Sequence, residues 1–386
     1  MMIDIQKVAL VKALQEVKET TLEKATNFAR FVKIAVNQDD SRVDFTTSNM
    51  EATTRVTVWE SAVNTPVTIH QSGEAVVPYK MLSDMATRSH DTLTLSTEKT
   101  KLTIRTGKTH MELAGIDPKD FLAYQYQDDQ RKVFRVSAAK LKALIQYTAF
   151  ATSTSEVRPI LTGVYLVAEN GQLKASATDG LCLSTASCTL ESLESADLII
   201  PATALSKWVK HLPEDDDEEV LIQFGESGLE VTWDDDSHQV MMRALSGKYP
   251  NINRLIAQKP LQYQLRLNRL EWLQALERIG ILSESSAPRV TLTLREEGCH
   301  VESKSEQYGQ GSDWVTILAK SALPDFPITF NPRLLMNLLK AMRGEEVLVG
   351  MNGPNEPVFF KDGFTDFDML GLLSPVLSPS QRQQSA

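Results

Sequence analysis

The stretch Phe330–Met342, FNPRLLMNLLKAM, decides how this chain is read. An extended apolar segment ends at Phe330-Asn331. In the helix that follows, Leu335, Leu338 and Leu339 fall at i, i+3 and i+4 and form one buried stripe. The same phrase occurs twice upstream. Val77-Pro78 precedes Leu82, Met85 and Ala86, and Ile200-Pro201 precedes Leu205, Trp208 and Val209. The copies start 123 residues apart (77 to 200) and then 130 apart (200 to 330). Solenoid repeats run about 20–50 residues, so a spacing this long repeats a whole domain. A domain written three times points to a shape rather than to an active site.

Each third carries a second amphipathic helix ahead of this one: Ile5 to about Val17 with Leu10, Leu14 and Val17, Ala139 to about Phe150 with Leu141, Leu144 and Ile145, and Leu270 to about Ile281 with Leu270, Leu273 and Leu276. Alternating stretches such as KLTIRTG, TGVYLVAENGQLKASATD, VLIQFGESGLEVTW, VTLTLREEGCHVES and PVFFKDG read as strands. Turn signals such as Asn170-Gly171 and Glu297-Gly298 join them. The expected fold class is α+β: three repeated domains, each with two helices packed on antiparallel sheet. The expected boundaries are 1–128, 129–258 and 259–377, with 378–386 (SPSQRQQSA) a polar, disordered tail. The linkers QYQDDQRK (125–132) and Ala257-Gln258-Lys259-Pro260 are short and are not Gly/Ser tethers.

Apolar residues make up 42% of the 386 and charged residues 23%, the composition of a soluble globular protein. No run reaches the 18 or so apolar residues that span a bilayer. The N-terminal MMIDIQKVAL lacks a signal-peptide core, so a cytoplasmic location is expected. Cys182, Cys188 and Cys299 are odd in number and lack CxxC spacing, which implies neither disulfides nor zinc. Ordinary buried thiols are expected.

The formal net charge is −10, which by itself argues against a phosphate-binding surface. Its distribution says otherwise. Opposite the apolar stripes lie Lys80 and Thr87 with Asp84 between them, then Thr203, Lys207 and Lys210, then Arg333, Asn337 and Lys340. The first helices add Lys7, Lys18, Lys140, Lys142, Arg269 and Arg278, while acid collects in Glu214–Glu219 and Asp234–Asp236. Basic helix faces could hold phosphates without reading bases, although any solvated helix carries such residues. No catalytic centre is legible. Gly225-Glu-Ser-Gly228 and Gly309-Gln-Gly311 lack the Lys-Ser/Thr ending of a phosphate-binding loop. The six histidines lack metal-ligand spacing, and no GxSxG occurs. No enzymatic activity, cofactor or metal is expected.

Phe150–Gly163 (FATSTSEVRPILTG), Ser176–Leu183 (SATDGLCL), Leu245–Leu255 (LSGKYPNINRL), Ile279–Leu282 and Phe330–Met342 occur in this order on the threefold repeat. Together they resemble the β subunit (β sliding clamp) family of bacterial DNA polymerase III, over nearly the whole length to Pro375. The resemblance implies a head-to-tail homodimer forming a six-domain ring. Helices face a central hole through which duplex DNA threads and slides. The replicative polymerase, the clamp loader and other partners dock short apolar peptides between the second and third domains.

Carried over onto matching positions, the peptide pocket would use Leu161, Thr178, Gly180, Leu181, Leu183, Pro250, Arg254 and Leu255, completed by Asn331, Leu334, Leu372, Leu373, Pro375 and Val376. The dimer interface would use Met111 and Leu113 against Ile281 and Leu282. Lys24 matches a DNA-facing position and joins Lys80, Lys140, Lys207, Lys210, Arg333 and Lys340 as the expected DNA contacts. The chain also departs from the family. Leu181-Cys182 replaces a usual His-Arg pair, Ala202-Thr203 an Arg-Lys pair, and Pro159-Ile160 aromatic residues. The chain continues past Pro375-Val376-Leu377 into the tail, which is expected to modulate access to the pocket. The alternatives are an enzyme using the acidic runs for metal, and a monomeric clamp-fold adaptor that binds peptides without encircling DNA.

Overall fold

The computed structural model describes residues 1–22, 24–61, 65–124, 131–215, 217–257, 260–283, 288–363 and 367–376. Most of the first linker, Gln258 and Lys259 of the second, Asp216 and the 378–386 tail lie outside them.

The first third runs β1 (Met2–Gln6), α1 (Lys7–Glu16), β2 (Phe31–Asn37), β3 (Arg42–Ser48), β4 (Ala52–Trp59), β5 (Val67–Gln71), β6 (Gly73–Pro78), α2 (Tyr79–Thr87), β7 (Thr92–Glu98), β8 (Lys101–Thr106) and β9 (Thr109–Ala114). The second runs β10 (Lys132–Ser137), α3 (Ala138–Thr148), β11 (Gly163–Glu169), β12 (Gln172–Thr178), β13 (Cys182–Thr189), β14 (Ala196–Pro201), α4 (Ala202–Trp208), β15 (Glu219–Phe224), β16 (Gly228–Trp233) and β17 (His238–Arg243). After the short α5 (Ile252–Ile256), the third runs β18 (Tyr263–Asn268), α6 (Arg269–Gly280), β19 (Val290–Arg295), β20 (Gly298–Ser305), β21 (Gly309–Val315), β22 (Ile317–Lys320), β23 (Ile328–Phe330), α7 (Pro332–Ala341), β24 (Glu346–Met351), β25 (Val358–Asp362) and β26 (Leu370–Leu373). The string is the same three times, with one added strand (β5, β22) in the outer copies.

The repeat is also visible in burial. Tyr79, Leu82 and Ala86 in α2, Ala202, Leu205 and Val209 in and after α4, and Pro332, Leu335 and Leu339 in α7 are all buried at equivalent positions. Lys80, Asp84 and Thr87, then Thr203, Lys207 and Lys210, then Arg333, Asn337 and Lys340 form the opposite row, most of it exposed. The helix period imposes both rows, and each fully buried leucine contributes about 1.5–3 kcal/mol. Asn331 caps α7, its side chain accepting from the Arg333 N–H at 3.0 Å.

Two details differ from the sequence reading. The first helix starts at Lys7 rather than Ile5, because Met2–Gln6 forms a strand between β5 and β7. Ile3 and Ile5 are both buried there, a period of two. Strands β10 and β18 lead into α3 and α6 in the same way. In α6 the buried stripe is Trp272, Ala275, Leu276 and Ile279, while Leu270 is 50% exposed. The indole at Trp272 fills the volume assigned to Leu270 and Leu273, stacking on Phe360 at 6.0 Å between centroids.

The chain forms two compact units, 1–139 with 203–244, and 140–202 with 245–386. The first holds a five-stranded sheet, β5-β1-β7-β8-β9, and an eight-stranded sheet, β10-β15-β16-β17-β4-β3-β2-β6. The second holds a nine-stranded sheet, β14-β11-β12-β13-β26-β25-β24-β18-β22, and a four-stranded one, β21-β20-β19-β23. The two large sheets are each made by strands of neighbouring thirds meeting edge to edge, β17 on β4 and β26 on β13.

Candidate functional site

All fourteen expected pocket residues lie in the second unit, around the seam between β13 and β26. Antiparallel pairing puts Leu183 opposite Leu372 and Cys182 opposite Leu373. The pleat sends these pairs to opposite faces. Leu373, fully buried, faces the helices, as does Gly371, whose missing side chain makes room for Leu338 of α7. Leu183 and Leu372 face the other way and pack with Ile199, Tyr249 and Ile252.

The turn before the seam is built by Thr178-Asp179-Gly180-Leu181-Cys182. The Asp179 carboxylate accepts from the N–H groups of Leu181 and Cys182 at 2.7 and 2.6 Å. The Thr178 hydroxyl donates to the Cys182 carbonyl at 2.7 Å and accepts from the Gly180 N–H at 3.0 Å. Gly180 has φ +94° with nothing near a would-be Cβ, so its backbone conformation, not space, calls for glycine. Leu181 is thereby held on a rigid turn at 60% exposure. Its carbonyl accepts from the Ser374 N–H at 2.8 Å, and Val376 N–H donates to Thr329 O at 2.7 Å. Pro375 and Val376 therefore run from the seam toward the start of α7, where Asn331 and the half-buried Leu334 sit.

The third side is the segment between β17 and β18. Leu245 N–H donates to Ile199 O at 2.8 Å, and Tyr249 stacks on Tyr165 at 5.1 Å between centroids. The Tyr249 hydroxyl accepts from Thr178 N–H and donates to Gly163 O, each at 3.2 Å. Asn251 caps α5 by accepting from the Arg254 N–H at 3.0 Å. Pro250 is half-buried, Arg254 exposed and Leu255 49% exposed. Leu161 and Thr178 are buried and act as frame. Burial pushes the Tyr249 phenol up to about 12. Burial, helped by Asp179, does the same to the Cys182 thiol. Both stay neutral near pH 7. The surface offers rigid exposed leucines, an arginine and polar backbone at its rim, which suits an apolar linear peptide.

Tyr249, Ile252, Ile199 and Asp179 build this surface without standing out in the sequence as site residues. Tyr249 and Ile252 sit inside LSGKYPNINRL, and Asp179 inside SATDGLCL. Ile199 shows no local signal.

The first unit repeats the turn. Asn49 accepts from the N–H groups of Glu51 and Ala52 at 3.1 and 2.9 Å, Ser48 donates to Ala52 O at 3.3 Å, and Met50 has φ +74°. Arg243 N–H donates to Glu51 O at 2.7 Å, as Ser374 does to Leu181. The turn is thus architecture of the repeat. The residue it displays differs: Leu181 in one unit, Glu51 in the other.

Of the expected DNA contacts, Lys80, Lys207, Lys210 and Arg333 are exposed, each on the row opposite the apolar stripe of its own helix, Lys24 is exposed in a turn, and Lys140 is half-buried. Lys340 is exposed and pairs with Glu277 at 3.1 Å. Two further basic residues of the helices are spoken for. Arg278 pairs with Asp313 at 2.6 Å, and the Arg269 guanidinium donates to Gly344 O and Leu339 O, closing the end of α7. Met111 and Leu113 lie on β9, the terminal strand of the five-stranded sheet. Ile281, 79% exposed, and Leu282 follow α6. Leu282 packs over Gly311 of β21, the terminal strand of the four-stranded sheet. The acidic Asp234–Asp236 run is the β16–β17 turn, with φ of 54, 48 and 63°. Among the described residues, no group of three His, Cys, Asp or Glu side chains could hold a metal, and no helix is long and apolar enough to cross a membrane.

Comparison with known proteins matches the family models for the N-terminal, central and C-terminal domains of the DNA polymerase III beta subunit to residues 1–125, 135–251 and 258–371. The beta sliding clamp of Bacillus subtilis is 27% identical over 379 residues, 96% of this chain and 98% of that one. That of Staphylococcus aureus is 27% identical, over 85% of this chain and 87% of that one. The crystal structure of the Bacillus subtilis DNA polymerase sliding clamp superposes with a TM-score of 0.90 at 26% identity, covering 98% of this chain and 99% of that one. The Streptococcus pneumoniae DNA polymerase III beta chain gives 0.89 at 25%, covering 98% and 100%.

Proposed function

We infer the function from one premise: the chain belongs to the DNA polymerase III beta-subunit family, and it is a DNA sliding clamp. In this reading two chains close head to tail around duplex DNA and tether the replicative polymerase, with no chemistry of their own.

One observation carries the ring. Within the chain, the last strand of one three-strand run pairs with the last strand of another twice: β17 with β4, and β26 with β13. Two strands of the same rank keep a free edge in their sheets, β9 and β21. Pairing β9 of one copy with β21 of the next completes the series. It joins a five- to a four-stranded sheet and yields nine strands, the size of the larger internal sheet. Such a heterologous contact closes into a ring when the rotation allows it, and it removes the exposed edges. Met111 and Leu113 on one side and Ile281 and Leu282 on the other would bury apolar surface at the join.

Inside the ring, Lys24, Lys80, Lys140, Lys207, Lys210, Arg333 and Lys340 would meet phosphates. Contacts to phosphate carry no sequence information, so the ring is free to slide. The fourteen-residue pocket in the second unit would dock the apolar peptides of the polymerase and clamp loader. Native mass tests the ring. The reading expects about 86 kDa, twice the 43.0 kDa chain, and a stable 43.0 kDa monomer at micromolar concentration contradicts it.

A further inference from the structure

The face of the nine-stranded sheet opposite α7 does not end at the seam. One pleat beyond Leu183 and Leu372, a groove of about 450 Å³ opens, within the roughly 300–1,000 Å³ typical of ligand sites. Phe359, Leu370 and Leu348, the last 42% exposed, give its floor an apolar patch, edged by the polar Thr185, Ser187, Gln264 and Asp368. Ile256 and Leu261 wall it, and Lys174 stands at its rim. The floor belongs to the pocket's own face, since the register pairs Leu372 with Phe359, Leu183 with Leu372, and Thr185 with Leu370. Ile256, Phe359 and Leu370 also pack against the cluster under the pocket.

Helix α5 lies between pocket and groove. Ile252 and Ile256 point into the sheet, so at 100° per residue Asn253 and Leu255 fall on opposite flanks. Lys174 Nζ donates to Asn253 Oδ1 at 3.5 Å, which marks that flank as the groove side. Leu255 is therefore on the pocket side.

The repeat supplies an internal control. In the first unit, the turn carbonyl bonds place Arg243 where Ser374 stands. Register then puts Gln239 at Leu370, Glu230 at Phe359 and Leu221 at Leu348. There the face is polar, with Glu230 accepting from Gln223 at 3.2 Å and Gln239 at 2.5 Å. The fold tolerates polar residues at two of these three positions, so it does not demand the apolar patch of the second unit.

We propose that this groove is the second half of the docking site. It takes the residues flanking the anchor of a docked linear peptide: an extended segment placing an apolar side chain on Leu348, Phe359 and Leu370 and a carboxylate on Lys174. Leu370 lies two residues along β26 from Leu372, and an extended chain advances about 3.3 Å per residue, so the residues next to the anchor are the ones that reach it. Of the two lysines at the groove, Lys361 pairs with the Asp368 carboxylate at 3.2 Å, whereas Lys174 bonds the neutral Asn253 amide at 3.5 Å, so its charge is the one offered to the peptide carboxylate.

The proposal rests on the pocket reading above, and its test separates the two. A fluorescent pentapeptide with Leu and Phe anchors is titrated by anisotropy. The same peptide is then extended by four residues containing Leu and two Asp, at either terminus. On the full chain one extension is expected to tighten binding at least fivefold, and a version with Lys for Asp is not. Lys174→Glu and Leu348→Glu, both checked by thermal melts, should erase the gain and leave the pentapeptide unchanged. No gain at either terminus, or a gain that survives both variants, overturns the groove. Pentapeptide binding indifferent to Leu181→Glu overturns the pocket reading instead.

Discussion

Leu183 stands directly across from Leu372 where β13 meets β26, so the join between two copies of the repeat is also the floor of the proposed docking surface. Leu183 is 4% and Leu372 6% exposed, while Leu181 two residues before is 60% exposed. The buried pair carries stability, and in the proposed function the exposed residue carries contact. Leu372→Ala should lower unfolding free energy by about 2–5 kcal/mol. Leu181→Glu should leave the melting temperature unchanged and weaken an apolar peptide at least tenfold, measured by anisotropy beside a thermal melt.

Tyr249 ties the connecting segment to the sheet through the Thr178 N–H and the Gly163 carbonyl. Tyr249→Phe leaves both buried partners without this hydroxyl, at a cost of about 1–3 kcal/mol. A lowered denaturant midpoint with weakened peptide binding is the expected pair of results.

Burial raises the thiols of Cys182 and Cys299 to about 12 and that of Cys188 to about 11, the last moderated by Lys140. Above pH 9 the unfolded chain releases these protons while the folded chain keeps them. The unfolded state then binds fewer protons, and stability falls as pH rises, by up to ~1.4 kcal/mol per thiol per pH unit between about 9 and 11. Melting temperature should decline across that range. A Cys182→Ala, Cys188→Ala, Cys299→Ala variant should decline less steeply. At pH 8, alkylation of the native thiols should be slow and should accelerate in denaturant.

Ile281 is 79% exposed, so nothing within one chain rewards its burial. Ile281→Glu should raise the dimer dissociation constant at least tenfold without shifting the melting temperature of the monomer, read by native mass across a dilution series.

Lys207 and Lys210 stand on the row that Thr203 begins. Neutralising both should reduce the slope of log affinity against log salt for short duplex, by about 0.9 for each phosphate that is no longer neutralised. An unchanged slope removes them from the DNA-facing set.

Much of this architecture is legible in the sequence because burial in the repeated helix obeys one period three times over. Leu82, Leu205 and Leu335 align from their spacing alone. Strand β1 is hidden because it is five residues long and runs directly into α1, and only pairing with β5 and β7 marks it off. Leu270 reads as buried by its period, yet Trp272 takes the core position two residues on. The exposed leucines of the proposed docking surface are carried by resemblance. Tyr249 and Asp179 act through hydrogen bonds to backbone atoms far along the chain or across a turn, which leave no periodic trace. The groove is illegible because its floor comes from strands far apart in sequence.

The most direct test of a sliding clamp is topological. The chain is loaded onto nicked circular DNA and separated from free protein by gel filtration, before and after the circle is linearised. Retention on the circle with rapid loss from the linear form is expected, because the closed ring, rather than the weak phosphate contacts, holds the two together. Equal retention on both, or equal escape from both, contradicts the account.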